Sequence, residues 1–83
     1  MTKIIMNGCN GKMGQVISRL VAEDDEVEIV CGVDINTSIQ NPYPVVASIE
    51  EFRGEADVVI DFSHPSCLPS ILSYCKRTKT PVV

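Results

Sequence analysis

Apolar residues fall along this chain in short runs parted by polar stretches, and the spacing within the runs alternates between two periods. Lys3 to Met6 is a short run with two isoleucines, the pattern of a buried parallel strand. From there the apolar positions open out to Met13, Val16, Ile17, Leu20 and Val21. That helical repeat predicts an amphipathic helix covering one face of a sheet. An acidic turn, Glu23 to Asp25, ends it, and Glu26 to Val33 (EVEIVCGV) reads as a second, β-branched strand. Strand, helix and strand make one βαβ unit.

The remaining pattern extends the unit into a layered domain. Asn36 to Pro44 (NTSIQNPYP) is a polar connection whose two prolines cannot sit inside a central strand, and it is expected to be mobile. Val45 to Ala47 adds a short edge strand. Ser48 followed by Glu51 has capping-box spacing for a short helix ending at Phe52. Ala56 to Phe62 (ADVVIDF) is a strand with a fully apolar centre, hence a central one. In the next helix Ser63 or Ser66 is the cap and Pro65 or Pro69 falls in the first turn. Leu68, Ile71, Leu72 and Cys75 form its expected buried stripe, with Lys76, Arg77 and Lys79 a solvated basic end. Thr80 to Val83 begins a further apolar strand. Right-handed crossovers then give the sheet order 3-2-1-4, with a topological switch point between strands 1 and 4. The fold class is α/β, a Rossmann-like doubly wound parallel sheet between two helical layers, cut off after the start of a fifth strand.

Composition narrows the function without naming it. Eighty-three residues make one small domain, able to bury about 60% of its unfolded surface. The net charge is −4, and the largest basic cluster is Lys76, Arg77 and Lys79, which argues against a nucleic-acid partner. No apolar run approaches a membrane span and no signal-peptide pattern opens the chain, so a cytoplasmic location without a membrane partner is expected. Four cysteines without a C-x-x-C pair, and a single histidine, predict free thiols and no metal site.

The chemistry concentrates where the first strand meets the first helix. Gly8, Gly11 and Gly14 occupy that junction in MNGCNGKMG. One glycine suits the tight turn, one lets backbone approach a phosphate, and one lets the helix pack closely on the sheet. The helix start aims unpaired N–H groups and the positive dipole end at the same place, the makings of a pyrophosphate cradle. Asp34 stands at the end of the second strand, about twenty residues past the last glycine, where such folds place the acid that holds the adenosine ribose. The strand ending at Asp61 brings Phe62, Ser63 and His64 to the same rim. The alternatives are an ordinary glycine-rich loop and a strand-end turn aspartate.

Two segments are similar to the 4-hydroxy-tetrahydrodipicolinate (dihydrodipicolinate) reductase family of lysine (diaminopimelate) biosynthesis. GCNGKMGQ, Gly8 to Gln15, resembles the family's Gly-x-x-Gly-[Arg or Lys]-Met-Gly loop, and VVIDFSHP, Val58 to Pro65, resembles its strand ending in Asp-Phe-[Ser or Thr]-x-Pro. The resemblance covers all 83 residues and only the family's amino-terminal, NAD(P)H-binding part. It implies an oxidoreductase whose Cys9, Asn10, Gly11, Met13 and Gly14 backbone and Lys12 side chain face the cofactor phosphates. Asp34 would hold the ribose, and Phe62, Ser63 and His64 would lie near the nicotinamide. Met13 is expected to pack under the loop, and His64 to border the cofactor rather than act as a catalytic acid.

The resemblance carries two departures. Members that favour NADPH often place an arginine after the acid; here that residue is Ile35, which predicts that NADH binds at least as well as NADPH. In the family a carboxyl-terminal domain supplies the histidine- and lysine-containing segment that binds substrate and builds a homotetramer. No residue here is assigned to catalysis, so residues 1–83 are read as the dinucleotide-binding domain alone, inactive by itself. Two other readings stand beside this one. One is a fragment of another dehydrogenase, such as a homoserine or aspartate dehydrogenase; the other is a free-standing NAD(H)-binding regulatory module.

Overall fold

A computed structural model describes residues 2–36, 40–52, 54–63 and 68–83. Its elements run β1 (Thr2–Asn7), α1 (Lys12–Ala22), β2 (Val27–Val33), β3 (Val45–Val46), a 3-10 turn (Ile49–Glu51), β4 (Val58–Asp61) and α2 (Leu68–Thr78). The four strands form one sheet in the order β3-β2-β1-β4, the order that the crossover rule predicts. Every pairing is parallel: Ile4 stands opposite Ile29 and Val58, Asn7 opposite Val33 and Asp61, and Gly32 opposite Val45. A register shift between Ile4 and Ile5 inserts one extra residue in β2. Beyond β4, Val82 bridges Val59 in parallel, with Val59 N–H donating to Pro81 and Val83 N–H to Val59.

Alternation along β1 divides the core between the two faces. Ile5 joins Cys31, Val33 and Val59 under Ile49, Ile71 and Tyr74, while Ile4 and Met6 join Ile29 and Cys9 under Ile17 and Val21. The second set lies beneath α1 and the first beneath α2 and the 3-10 turn, which gives the expected three layers. Each fully buried aliphatic side chain contributes about 1.5–3 kcal/mol.

Both helices bury a narrower line than the apolar pattern predicts. On α1 the inward line is Gly14, Ile17 and Val21, because Gly14 lets the helix approach the loop backbone closely. Met13, Val16 and Leu20 lie about 100° round the axis and are exposed. On α2 the inward residues are Ile71, Tyr74 and the half-buried Cys75, while Leu68 and Leu72 face solvent. Tyr74 was not in the expected stripe; its ring supplies the bulk and also stacks on Arg77, whose guanidinium carbon lies 5.7 Å from the ring centre.

Lys79 ends α2 with a left-handed φ of 59°, and Thr80 N–H returns to the Cys75 carbonyl at 3.1 Å. Ser48 and Glu51 form the predicted capping box, on a single 3-10 turn rather than an α-helix. In the connection after β2, Asn41 and Tyr43 hydrogen-bond to residues 10 and 18, while residues 37–39 lie outside the described residues. Cys9, Cys31 and Cys75 are free thiols, and Cys67 lies outside the described residues.

Candidate functional site

Three strand ends meet at the carboxyl rim of the sheet. Gly8 N–H donates to the Val33 carbonyl at 2.7 Å, and Phe62 N–H donates to the Asn7 carbonyl at 3.0 Å. These bonds stitch the glycine loop to the ends of β2 and β4. Gly8 has a φ of +80°, and a Cβ on it would lie 2.9 Å from the Phe62 carbonyl and Ser63 nitrogen. Gly14 is the close-packing glycine: a Cβ there would come within 2.2 Å of the Gly8 oxygen.

Gly11 differs from both. It is exposed at the N-cap of α1, its backbone is extended, and a Cβ on it would meet only the Gly8 oxygen, at 3.3 Å. It carries no capping side chain, and the first turn of α1 holds no acidic residue. The helix therefore presents backbone donors and its positive end toward solvent without an internal anion.

Asp34 is fixed by two backbone donors: Asn10 N–H gives to one carboxylate oxygen at 3.0 Å and Asn36 N–H to the other at 2.9 Å. Each oxygen keeps a further lone pair for a hydroxyl. Ile35 beside it is exposed. Ser63 is held from both sides, its N–H and hydroxyl donating to Asp61 Oδ1 and its oxygen accepting from Asn7 Nδ2 at 3.0 Å. Asn7 Oδ1 is buried with no hydrogen-bond partner. A cavity of about 220 Å³ lies alongside, lined by Asn7, Val33, Ser48 and Ser70 among others.

The structure thus brings together Gly8, Cys9, Asn10, Gly11, Gly14, Asp34, Phe62 and Ser63 on one rim. Lys12 opens α1 there, with its side chain exposed. Cys9 contributes backbone alone, since its side chain is buried in the core and that burial pushes its thiol pKa up. Met13 corrects an expectation: it is half exposed beside the loop instead of packed beneath it, for the helix-rotation reason given above. His64 lies outside the described residues. Sequence reasoning missed Asn7, Asn41 and Tyr43, whose roles depend on the path of the chain and leave no periodic signal. Among the described residues no cluster could hold a metal ion, and no helix is long and apolar enough to cross a membrane.

A parallel sheet in this order, with a glycine loop leading into α1 and an acid closing β2, defines a Rossmann-like α/β domain. The family model described as dihydrodipicolinate reductase, N-terminus, matches residues 2–83, and the chain belongs to that family. It is 46% identical over 84 residues to a 4-hydroxy-tetrahydrodipicolinate reductase of Clostridium perfringens. It is 45% identical over 83 residues to that of Caldanaerobacter subterraneus subsp. tengcongensis. In both cases all of this chain is covered and 33% of the relative, so it spans about a third of the length of the curated relatives it matches. Among solved structures, the dipicolinate-bound dihydrodipicolinate reductase from Paenisporosarcina sp. TG-14 shares the fold. The TM-score is 0.76 at 22% identity, over 99% of this chain and 37% of that one.

Proposed function

We propose that this chain is the dinucleotide-binding domain of a 4-hydroxy-tetrahydrodipicolinate reductase of lysine biosynthesis, and that it holds NADH at least as well as NADPH. The observation that carries the reading is the uncapped start of α1 at Gly11, facing the same rim as the two-point-anchored Asp34 carboxylate. Backbone N–H groups of the first helical turn receive the pyrophosphate, and the Lys12 ammonium adds charge beside it. Asp34 accepts the ribose hydroxyls through its spare lone pairs, and the 220 Å³ cavity next to Val33 gives the base a place. Phe62 and Ser63 border the nicotinamide side, with His64 assigned there by family resemblance.

The bound dinucleotide supplies a hydride; the chain's own residues bind and orient it. Substrate contact and proton donation are assigned to a second domain outside residues 1–83, which also builds the homotetramer of a cytoplasmic enzyme. That division of labour is supported by the third of each relative's length that this chain covers.

Cofactor preference follows from charge. Asp34 repels a 2′-phosphate, and the exposed Ile35 offers no cation to offset it. Calorimetric titration is expected to show NADH binding at least as tightly as NADPH. Asp34→Ala should weaken NADH about tenfold or more, the scale of hydrogen bonds to a charged group. Tight NADPH binding with weak NADH binding, or an Asp34→Ala variant that binds NADH as well as the parent, contradicts the assignment.

A further inference from the structure

Among the described residues, a dense set of hydrogen bonds outside the regular elements centres on one residue, Asn10, through both its backbone and its side chain. It is buried, and all of its polar groups are engaged. Its N–H donates to Asp34 Oδ2 at 3.0 Å, its Nδ2 donates to the Asn36 carbonyl, and its Oδ1 accepts from Asn41 Nδ2 at 3.0 Å. Its carbonyl accepts from Gln15 Nε2 at 2.9 Å. From Asn41 the connections continue to the Tyr43 hydroxyl at 3.4 Å, then to Ser18 Oγ at 2.8 Å, which donates to the Gly14 carbonyl. The circuit therefore starts inside the glycine loop and returns to its last glycine by way of the segment after β2.

The circuit reaches the acid. The two donors that orient Asp34 are Asn10 N–H and Asn36 N–H, and Asn36 is itself gripped by the Asn10 side chain. We propose that Asn10 is a positioning residue whose side chain, by holding Asn36 and Asn41, presets the Asp34 carboxylate against the phosphate loop before any ligand arrives. The inference rests on the dinucleotide reading above. It adds that the adenosine half meets a preorganised wall, so that binding does not have to order these groups.

A double-mutant cycle tests it, with ADP-ribose as the titrant so that the nicotinamide plays no part. Asn10→Ala keeps the backbone N–H on Asp34 but removes the side-chain bonds to the Asn36 carbonyl and to Asn41. It should therefore weaken ADP-ribose binding about fivefold when Asp34 is present and less than about twofold in an Asp34→Ala background, because the Asn36 N–H it positions acts on that carboxylate. Asn41→Ala, which leaves the glycine loop's own sequence untouched, should give a smaller loss with the same dependence on Asp34, and it stands in if Asn10→Ala does not fold. Equal losses in both backgrounds, or no loss from either substitution in a folded protein, overturn the positioning role alone. Failure of the unsubstituted chain to bind ADP-ribose overturns the dinucleotide reading, and this inference with it.

Discussion

Single atoms decide how the three glycines share their work. Gly14 has no room for a Cβ and Gly11 has nearly enough, so the two positions answer different questions. Gly14→Ala should destabilise the fold by about 1–3 kcal/mol, as overpacking does, and urea denaturation measures it. Gly11→Val should cost no more than about 1 kcal/mol in urea denaturation, the scale of a poorer N-cap, while blocking ligand approach, which makes it the cleaner probe of the cradle. The buried thiols give a second residue-scale prediction. Burial, with the charge of Cys9 behind it, raises the Cys31 pKa from its ordinary 9.0 to about 11. The folded state thus holds this proton more tightly than the unfolded chain does. Its contribution is fully present below pH 9.0 and is lost as pH rises toward about 11. Stability measured across that range should fall, and Cys31→Val should flatten the slope.

At the scale of elements, the strands and their order were legible because a parallel sheet buried on both faces leaves unbroken apolar runs, as in Val58 to Ile60. Asp34 was legible for a related reason: its place is fixed by strand length and by its distance from the loop. Helix faces were less so. One residue of rotation separates the Gly14, Ile17 and Val21 line from Met13, Val16 and Leu20, and the pattern of apolar positions does not distinguish them when a glycine lies at the contact. On α2 the contrast is testable: Ile71→Ala should cost about 2–5 kcal/mol, whereas Leu72→Ala should cost little, being exposed. The α2 terminus gives a gain instead. Lys79 holds a left-handed backbone that favours glycine, so Lys79→Gly should raise stability by up to about 1 kcal/mol in urea titrations.

For the molecule as a whole, the rim is made by convergence: β1, β2 and β4 deliver backbone from distant parts of the chain to one crevice at the switch point. The polar circuit through Asn10, Asn41 and Tyr43 was invisible in the sequence because each partner sits in a connection whose path only the folded backbone defines. Ligand binding should therefore tie together segments that share no secondary structure. A saturating dinucleotide at a hundred times its Kd should add about 2.7 kcal/mol to the stability of the domain and raise its thermal midpoint by several degrees. The most direct test is a two-dimensional amide NMR titration of the chain with NADH. The largest shifts should fall at Gly8 to Gly14, at Asp34 to Asn36 and at Phe62 and Ser63, with the far ends of the strands at Thr2 and Val27 unmoved. Shifts confined to other surfaces, or no shifts at millimolar NADH, would contradict it.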